Sequence, residues 1–177
     1  MNKPLIPFFG TRQEYAAHAA EIVKAVKSVF ASGRHLQGPA VEELEHRMAR
    51  AAHRAFGVAV NSCTDALYYS LLAAGVGAGD DVLVTDFSFI ASASCIARAG
   101  ARPVFIDIGE DFNIDLTKAS AFLTPKTKAL IAVHLYGQMI NPEVLQAFCE
   151  QHHLALIEDA AQALDRDGAP RASPGYL

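Results

Sequence analysis

The chain has 177 residues, 51% of them apolar and 19% charged, with a formal net charge of −4. That is enough apolar chain for one domain with a buried interior, and it excludes a disordered polypeptide. The acidic balance excludes the usual electrostatic signature of a nucleic-acid or anionic-membrane binder.

Apolar residues at helical spacing predict a first helix over 14–30, stopped by Ser32-Gly33, and a second over 41–55, rich in Glu early and Arg late as the helix dipole prefers. A repeating grammar follows. Short apolar runs predict strands at 56–60, 81–84, 103–106, 129–133 and 154–157. Between them lie predicted helices at 64–74, 90–99, 116–122 and 142–152. Strands alternating with helices imply an α/β fold with a parallel sheet covered on both faces. After residue 164 the pattern changes: residues 165–177 are polar and rich in Pro and Gly, and read as a disordered tail.

No apolar run approaches the roughly 20 residues of a bilayer span. The start, Met1-Asn2-Lys3-Pro4-Leu5-Ile6-Pro7, lacks the apolar core of a signal peptide. The three cysteines, Cys63, Cys95 and Cys149, are far apart and none pairs at metal-ligand spacing, so no metal site and a reducing, cytoplasmic location are expected.

Three segments carry possible chemistry, each with an ordinary structural alternative. Asn61-Ser62-Cys63-Thr64-Asp65-Ala66-Leu67 joins a strand to a helix through small polar residues. Backbone N–H groups at such a helix start can hold a phosphate, or Ser62 or Thr64 can simply cap the helix. Phe87-Ser88-Phe89 follows the next strand, where one ring could stack on a planar cofactor or both could be core. Glu158-Asp159-Ala160-Ala161-Gln162 closes the last strand, and Asp159 could keep a pyridine nitrogen protonated or merely cap the strand end. All three fall at carboxyl ends of predicted strands, where open α/β sheets bind ligands. Phosphate, flat ring and ring nitrogen are the three handles of pyridoxal 5′-phosphate. Gly75-Val76-Gly77-Ala78-Gly79 precedes a strand, so it is no dinucleotide fingerprint.

With these segments go Gly79-Asp80-Asp81-Val82, Phe89-Ile90-Ala91-Ser92-Ala93, Gly100-Ala101-Arg102-Pro103-Val104-Phe105, Asn113-Ile114-Asp115, Val133-His134-Leu135-Tyr136-Gly137 and Ile157-Glu158-Asp159-Ala160-Ala161-Gln162-Ala163. In combination they resemble the DegT/DnrJ/StrS-type sugar aminotransferases of the aspartate-aminotransferase fold, from residue 5 to about 164. The resemblance implies that residues 1–164 are the N-terminal part of a large domain binding pyridoxal 5′-phosphate, with 165–177 divergent from the family. It further implies that Thr64, Asp65 and neighbouring amides, Cys63 among them, hold the phosphate. Phe89 stacks on the pyridine, Asp159 pairs with its nitrogen and Gln162 bonds its 3′-oxygen. Thr64, Phe89, Asp159 and Gln162 should therefore converge on one pocket.

The resemblance implies transfer of an amino group from an amino acid, usually glutamate, to a nucleotide-linked keto sugar by a homodimer, with no nucleic-acid or membrane partner. Family members continue past the Asp-x-x-Gln motif to a lysine that binds the cofactor covalently, whereas here no lysine follows Lys128. A truncated chain, inactive by itself, is the expectation. A same-family sugar dehydratase and a non-catalytic remnant or interaction partner are its alternatives.

Overall fold

The computed structural model describes residues 10–163. The readings that fall on residues 1–9 and on the 165–177 tail lie outside the described residues. The chain divides into two compact units, Met1–Leu44 and Glu45–Leu177.

In the first unit, α1 (Thr11–Ser32) ends at Gly33, whose φ of 68° is the left-handed stop that a residue without Cβ adopts freely. No residue of α1 is buried within the described chain. The second helix, α2, runs Pro39–Ala51, shorter than the 41–55 expected from the pattern. His53, with φ at 51°, marks the end of the helical path.

The second unit is built on four strands. In order come α3 (Cys63–Ala73), β1 (Asp81–Thr85), α4 (Ala91–Arg98), β2 (Arg102–Ile106), α5 (Leu116–Ala119), β3 (Thr127–Val133), α6 (Pro142–His152) and β4 (Ala155–Asp159). Short 3₁₀ turns lie at Ser120–Phe122 and Leu135–Gly137. The strands pair in parallel in the order β2-β1-β3-β4. β1 is buried along its whole length, as expected of a strand covered on both faces. The period of two sorts its side chains: Val82 and Val84 join Leu67, Leu71, Ile96, Ile131 and Ile157 on one side. Leu83 joins Leu130, Ala132, Leu145 and Leu156 on the other.

The expected strand at 56–60 is a correction. This segment is neither helix nor strand and pairs with no strand among the described residues. Phe56 is 87% and Val58 81% exposed. The backbone leans on α2 instead: Ala59 N–H donates to Glu45 Oε1 at 2.7 Å. Gly57 passes so close that a Cβ there would meet the Glu45 carbonyl oxygen at 2.5 Å. An apolar run becomes a strand only when a neighbour takes its backbone groups, and here a helix side chain takes one of them.

Candidate functional site

Chain order places β1 between β2 and β3, so the sequence leaves β1 in one direction along the sheet and returns to its other side. That reversal is the topological switch point at which open α/β sheets form a crevice beyond their carboxyl ends. A cavity of about 160 Å³ lies there, lined by Cys63, Thr64, Ser88, Phe89, Ala91, Val133, Asp159, Ala161 and Gln162. These residues come from the start of α3, the loop after β1, the start of α4, and the ends of β3 and β4.

Local chemistry sets each wall. Ser62 is the N-cap of α3 in an extended conformation, and its hydroxyl accepts the Asp65 N–H at 3.1 Å. The first amides of a helix have no acceptor within it, and the dipole adds partial positive charge, so the start of α3 suits an anion. Phe89 stands at the mouth with 71% of its surface exposed. Phe87 is also exposed, so neither ring is core.

Asp159 ends β4 and faces Val133 across the β3–β4 ladder. Its Oδ1 accepts the Ala161 N–H at 3.1 Å and the Cys63 thiol at 3.7 Å, across 96 residues of sequence. Among the described residues, no hydrogen bond or ion pair goes to Oδ2. Burial, and then the neighbouring Asp159 carboxylate, pushes the Cys63 thiol up to about 11, so it is a neutral donor near pH 7. Gln162 Oε1 accepts the Tyr136 N–H at 2.8 Å. Gly137 beside it has φ 79°, and a Cβ there would meet the Gln162 carbonyl at 3.2 Å.

Thus Cys63, Thr64, Phe89, Asp159 and Gln162 come together on one cavity. Asp65 does not line it: its carboxylate pairs with Arg98, which also lies over the Tyr68 ring at 4.1 Å. That hydrogen bond holds the Asp65 carboxyl below its usual range. No pocket-lining residue is a lysine. Lys118 pairs with Asp107 and Asp115, and Lys128 with Asp80 and the Gly75 carbonyl. No group of three or more His, Cys, Asp or Glu among the described residues could hold a metal ion.

Sequence reasoning missed two residues behind the cavity. His134 and Glu158 are both fully buried, with Nε2 3.2 Å from Oε1. Both lie within motifs quoted above, a histidine just after one apolar strand and a glutamate just before the end of another, but neither was assigned a role.

The model of the DegT/DnrJ/EryC1/StrS aminotransferase family matches residues 16–169. The chain belongs to this family. A "pleiotropic regulatory protein" of Geobacillus stearothermophilus is 43% identical over 160 residues, 90% of this chain and 43% of that protein. The dTDP-3-amino-3,4,6-trideoxy-alpha-D-glucose transaminase of Streptomyces venezuelae is 37% identical over 90% of this chain and 42% of its own length. Among solved structures, S. venezuelae DesV in complex with a ketimine intermediate superposes with a TM-score of 0.91 at 35% identity. That match covers 98% of this chain and 48% of DesV. NtdA from Bacillus subtilis with bound cofactor PMP superposes with a TM-score of 0.85 at 30% identity, over 92% of this chain and 38% of NtdA. The chain therefore spans a little under half the length of the relatives it matches. Among the described residues, no helix is long and apolar enough to cross a membrane.

Proposed function

We propose that this chain supplies the cofactor-binding half of a sugar aminotransferase that moves an amino group from glutamate to a nucleotide-linked keto sugar, in the cytoplasm and within a homodimer. Sugar aminotransferases among its relatives support the reaction class. The observation that carries the reading is Asp159: two donors fix Oδ1 and aim the carboxylate, while Oδ2 takes no partner among the described residues. An acceptor held in this way fits the protonated nitrogen of a pyridine ring.

The other residues fit pyridoxal 5′-phosphate around that anchor. Thr64 and the amides at the start of α3 hold its phosphate, with Cys63 and Asp65 flanking. Asp65 contributes by bracing the loop through Ser62 and Arg98. Phe89 covers one face of the ring and Gln162 meets its 3′-oxygen. Once bound, the cofactor supplies an electron sink at the carbon bearing the transferred nitrogen. Asp159 keeps the ring nitrogen protonated, since a carboxylate beside it favours the cation.

Titration of the purified chain with pyridoxamine 5′-phosphate, followed by the ligand's fluorescence, tests this reading. Saturable binding is expected, weakened at least about tenfold by Asp159→Asn and by Phe89→Ala, equivalent to about 1.4 kcal/mol. Absence of saturable binding by the wild-type chain, or unchanged affinity in Asp159→Asn, overturns it.

A further inference from the structure

We propose that Glu158 and His134, with Arg54 against them, are a positioning couple that sets the two cofactor-facing residues, Asp159 and Gln162, from behind the sheet. The proposal rests on the reading of those two residues given above. Neither Glu158 nor His134 lines the cavity. Glu158 precedes Asp159 on β4, so by strand alternation the two side chains leave opposite faces.

The hydrogen bonds fix the state of the imidazole. His134 Nδ1 accepts the Ile140 N–H at 3.3 Å. A backbone amide is only a donor, so Nδ1 carries no proton and the ring proton sits on Nε2. From there it is donated to Glu158 Oε1 at 3.2 Å. Arg54 Nη2 approaches the other oxygen, Oε2, at 3.6 Å. Burial lowers the pKa of Arg54, with the Glu158 charge opposing. The carboxylate is thus held between a neutral donor and a cation, with the Glu158 and His134 side chains fully buried and the Arg54 side chain 19% exposed.

The couple reaches the cavity along two paths. The His134 backbone N–H donates to the Asp159 carbonyl at 3.0 Å, which locks the end of β4 to the residue leaving β3. The Nδ1 bond to Ile140 closes the 134–140 loop on itself. Inside that loop Tyr136 has φ 56°, a left-handed value disfavoured for a residue with Cβ. Its N–H is the donor to Gln162 Oε1. Holding the two ends of the loop keeps Tyr136 in that conformation and Gln162 oriented. Glu158 and His134 therefore act through Asp159 and Gln162 and need not touch the cofactor.

Nitrogen-15 NMR of the histidine rings in the wild-type chain near neutral pH tests the first link without any variant. An unprotonated Nδ1 and protonated Nε2 at His134 are expected; the opposite tautomer overturns the proposal. Hydrogen exchange in Glu158→Gln and His134→Phe tests the second. The Ile140 and Tyr136 amides should exchange at least about tenfold faster, while those of Leu130 and Ile131 in the sheet keep their protection. Unchanged exchange in the loop overturns the proposal, and so does equal loosening of the sheet, which would mark a general structural role. The same variants, titrated with pyridoxamine 5′-phosphate, should bind about tenfold more weakly. Unaltered affinity despite a loosened loop refutes the positioning role. If the wild-type chain binds no pyridoxamine 5′-phosphate, the cofactor reading falls, whereas tautomer and loop exchange still judge the couple.

Discussion

Cys63 illustrates how one residue takes its chemistry from a distant one. In sequence it is a thiol at the start of a helix, a place that usually lowers a thiol pKa. In the fold the residue keeps an exposed surface, but its Sγ lies 3.7 Å from Asp159 Oδ1. Burial first and the carboxylate second push it up to about 11. At pH 8 about one thiol in a thousand is then ionised. Cys63 should therefore react with iodoacetamide far more slowly than a free thiol, despite its exposure. Asp159→Asn removes the negative charge, lowers the thiol pKa and should speed the reaction. Mass-spectrometric alkylation rates at Cys63 check both; equal rates in the two proteins would remove the Asp159 contribution.

At the scale of elements, the sheet is fastened at the amino end of β1. Asp81 is buried and receives two hydrogen bonds of 2.7 Å from Arg102, the first residue of β2, and one of 2.7 Å from Thr124 Oγ1 ahead of β3. One carboxylate thus ties three neighbouring strands. The Arg102 bonds, more than the opposing desolvation, lower its pKa to about 2. The sign follows: an Asp with a folded pKa below the unfolded value of about 3.9 stabilises fully above that value. This stability is lost as pH falls through about 2. The Arg102 side chain is 66% exposed, so solvent screens the pair and about 1–2 kcal/mol is a fair magnitude. Asp81→Asn should destabilise the chain by about that amount at pH 7. It should also reduce the loss of stability between pH 4 and 2. Urea unfolding at several pH values measures both effects, and an unaltered acid limb in the variant would dismiss the role of Asp81.

At the scale of the whole molecule, apolar surface is the salient property. Tyr15, Ile22, Val26 and Phe30 of α1 are spaced to share one helical face and are 41 to 70% exposed. In the second unit, Phe56, Val58 and Phe105 are also exposed. β2 and β4 are the edges of the described sheet, and Phe105 stands on the β2 edge. Exposed apolar side chains in such numbers promote association. Sedimentation velocity should show association that increases with protein concentration and is reduced in the double variant Val26→Glu, Phe30→Glu. A single monomeric species across the concentration range would contradict this.

The sequence by itself determined the order of the helices and of the four paired strands between 81 and 159, and it pointed to Cys63, Thr64, Phe89, Asp159 and Gln162, which line the cavity, and to Asp65, which does not. The elements rest on local physics, apolar periods of two and 3.6 and turn chemistry at the helix starts, whereas the full set of site residues rests on the resemblance carried by the motifs. Helix α6 begins at its Asn141 cap, with Pro142 in the first turn, as such a stretch dictates. Only the tertiary structure decided the rest. Residues 56–60 have the composition of a strand, yet a strand needs a paired neighbour, and here the Glu45 side chain takes the Ala59 amide. The aim of Asp159 depends on a thiol 96 residues away, and the His134–Glu158 bond spans 24 residues. No local pattern encodes either contact, because each exists only once the parallel ladders bring the carboxyl ends of β3 and β4 beside the start of α3.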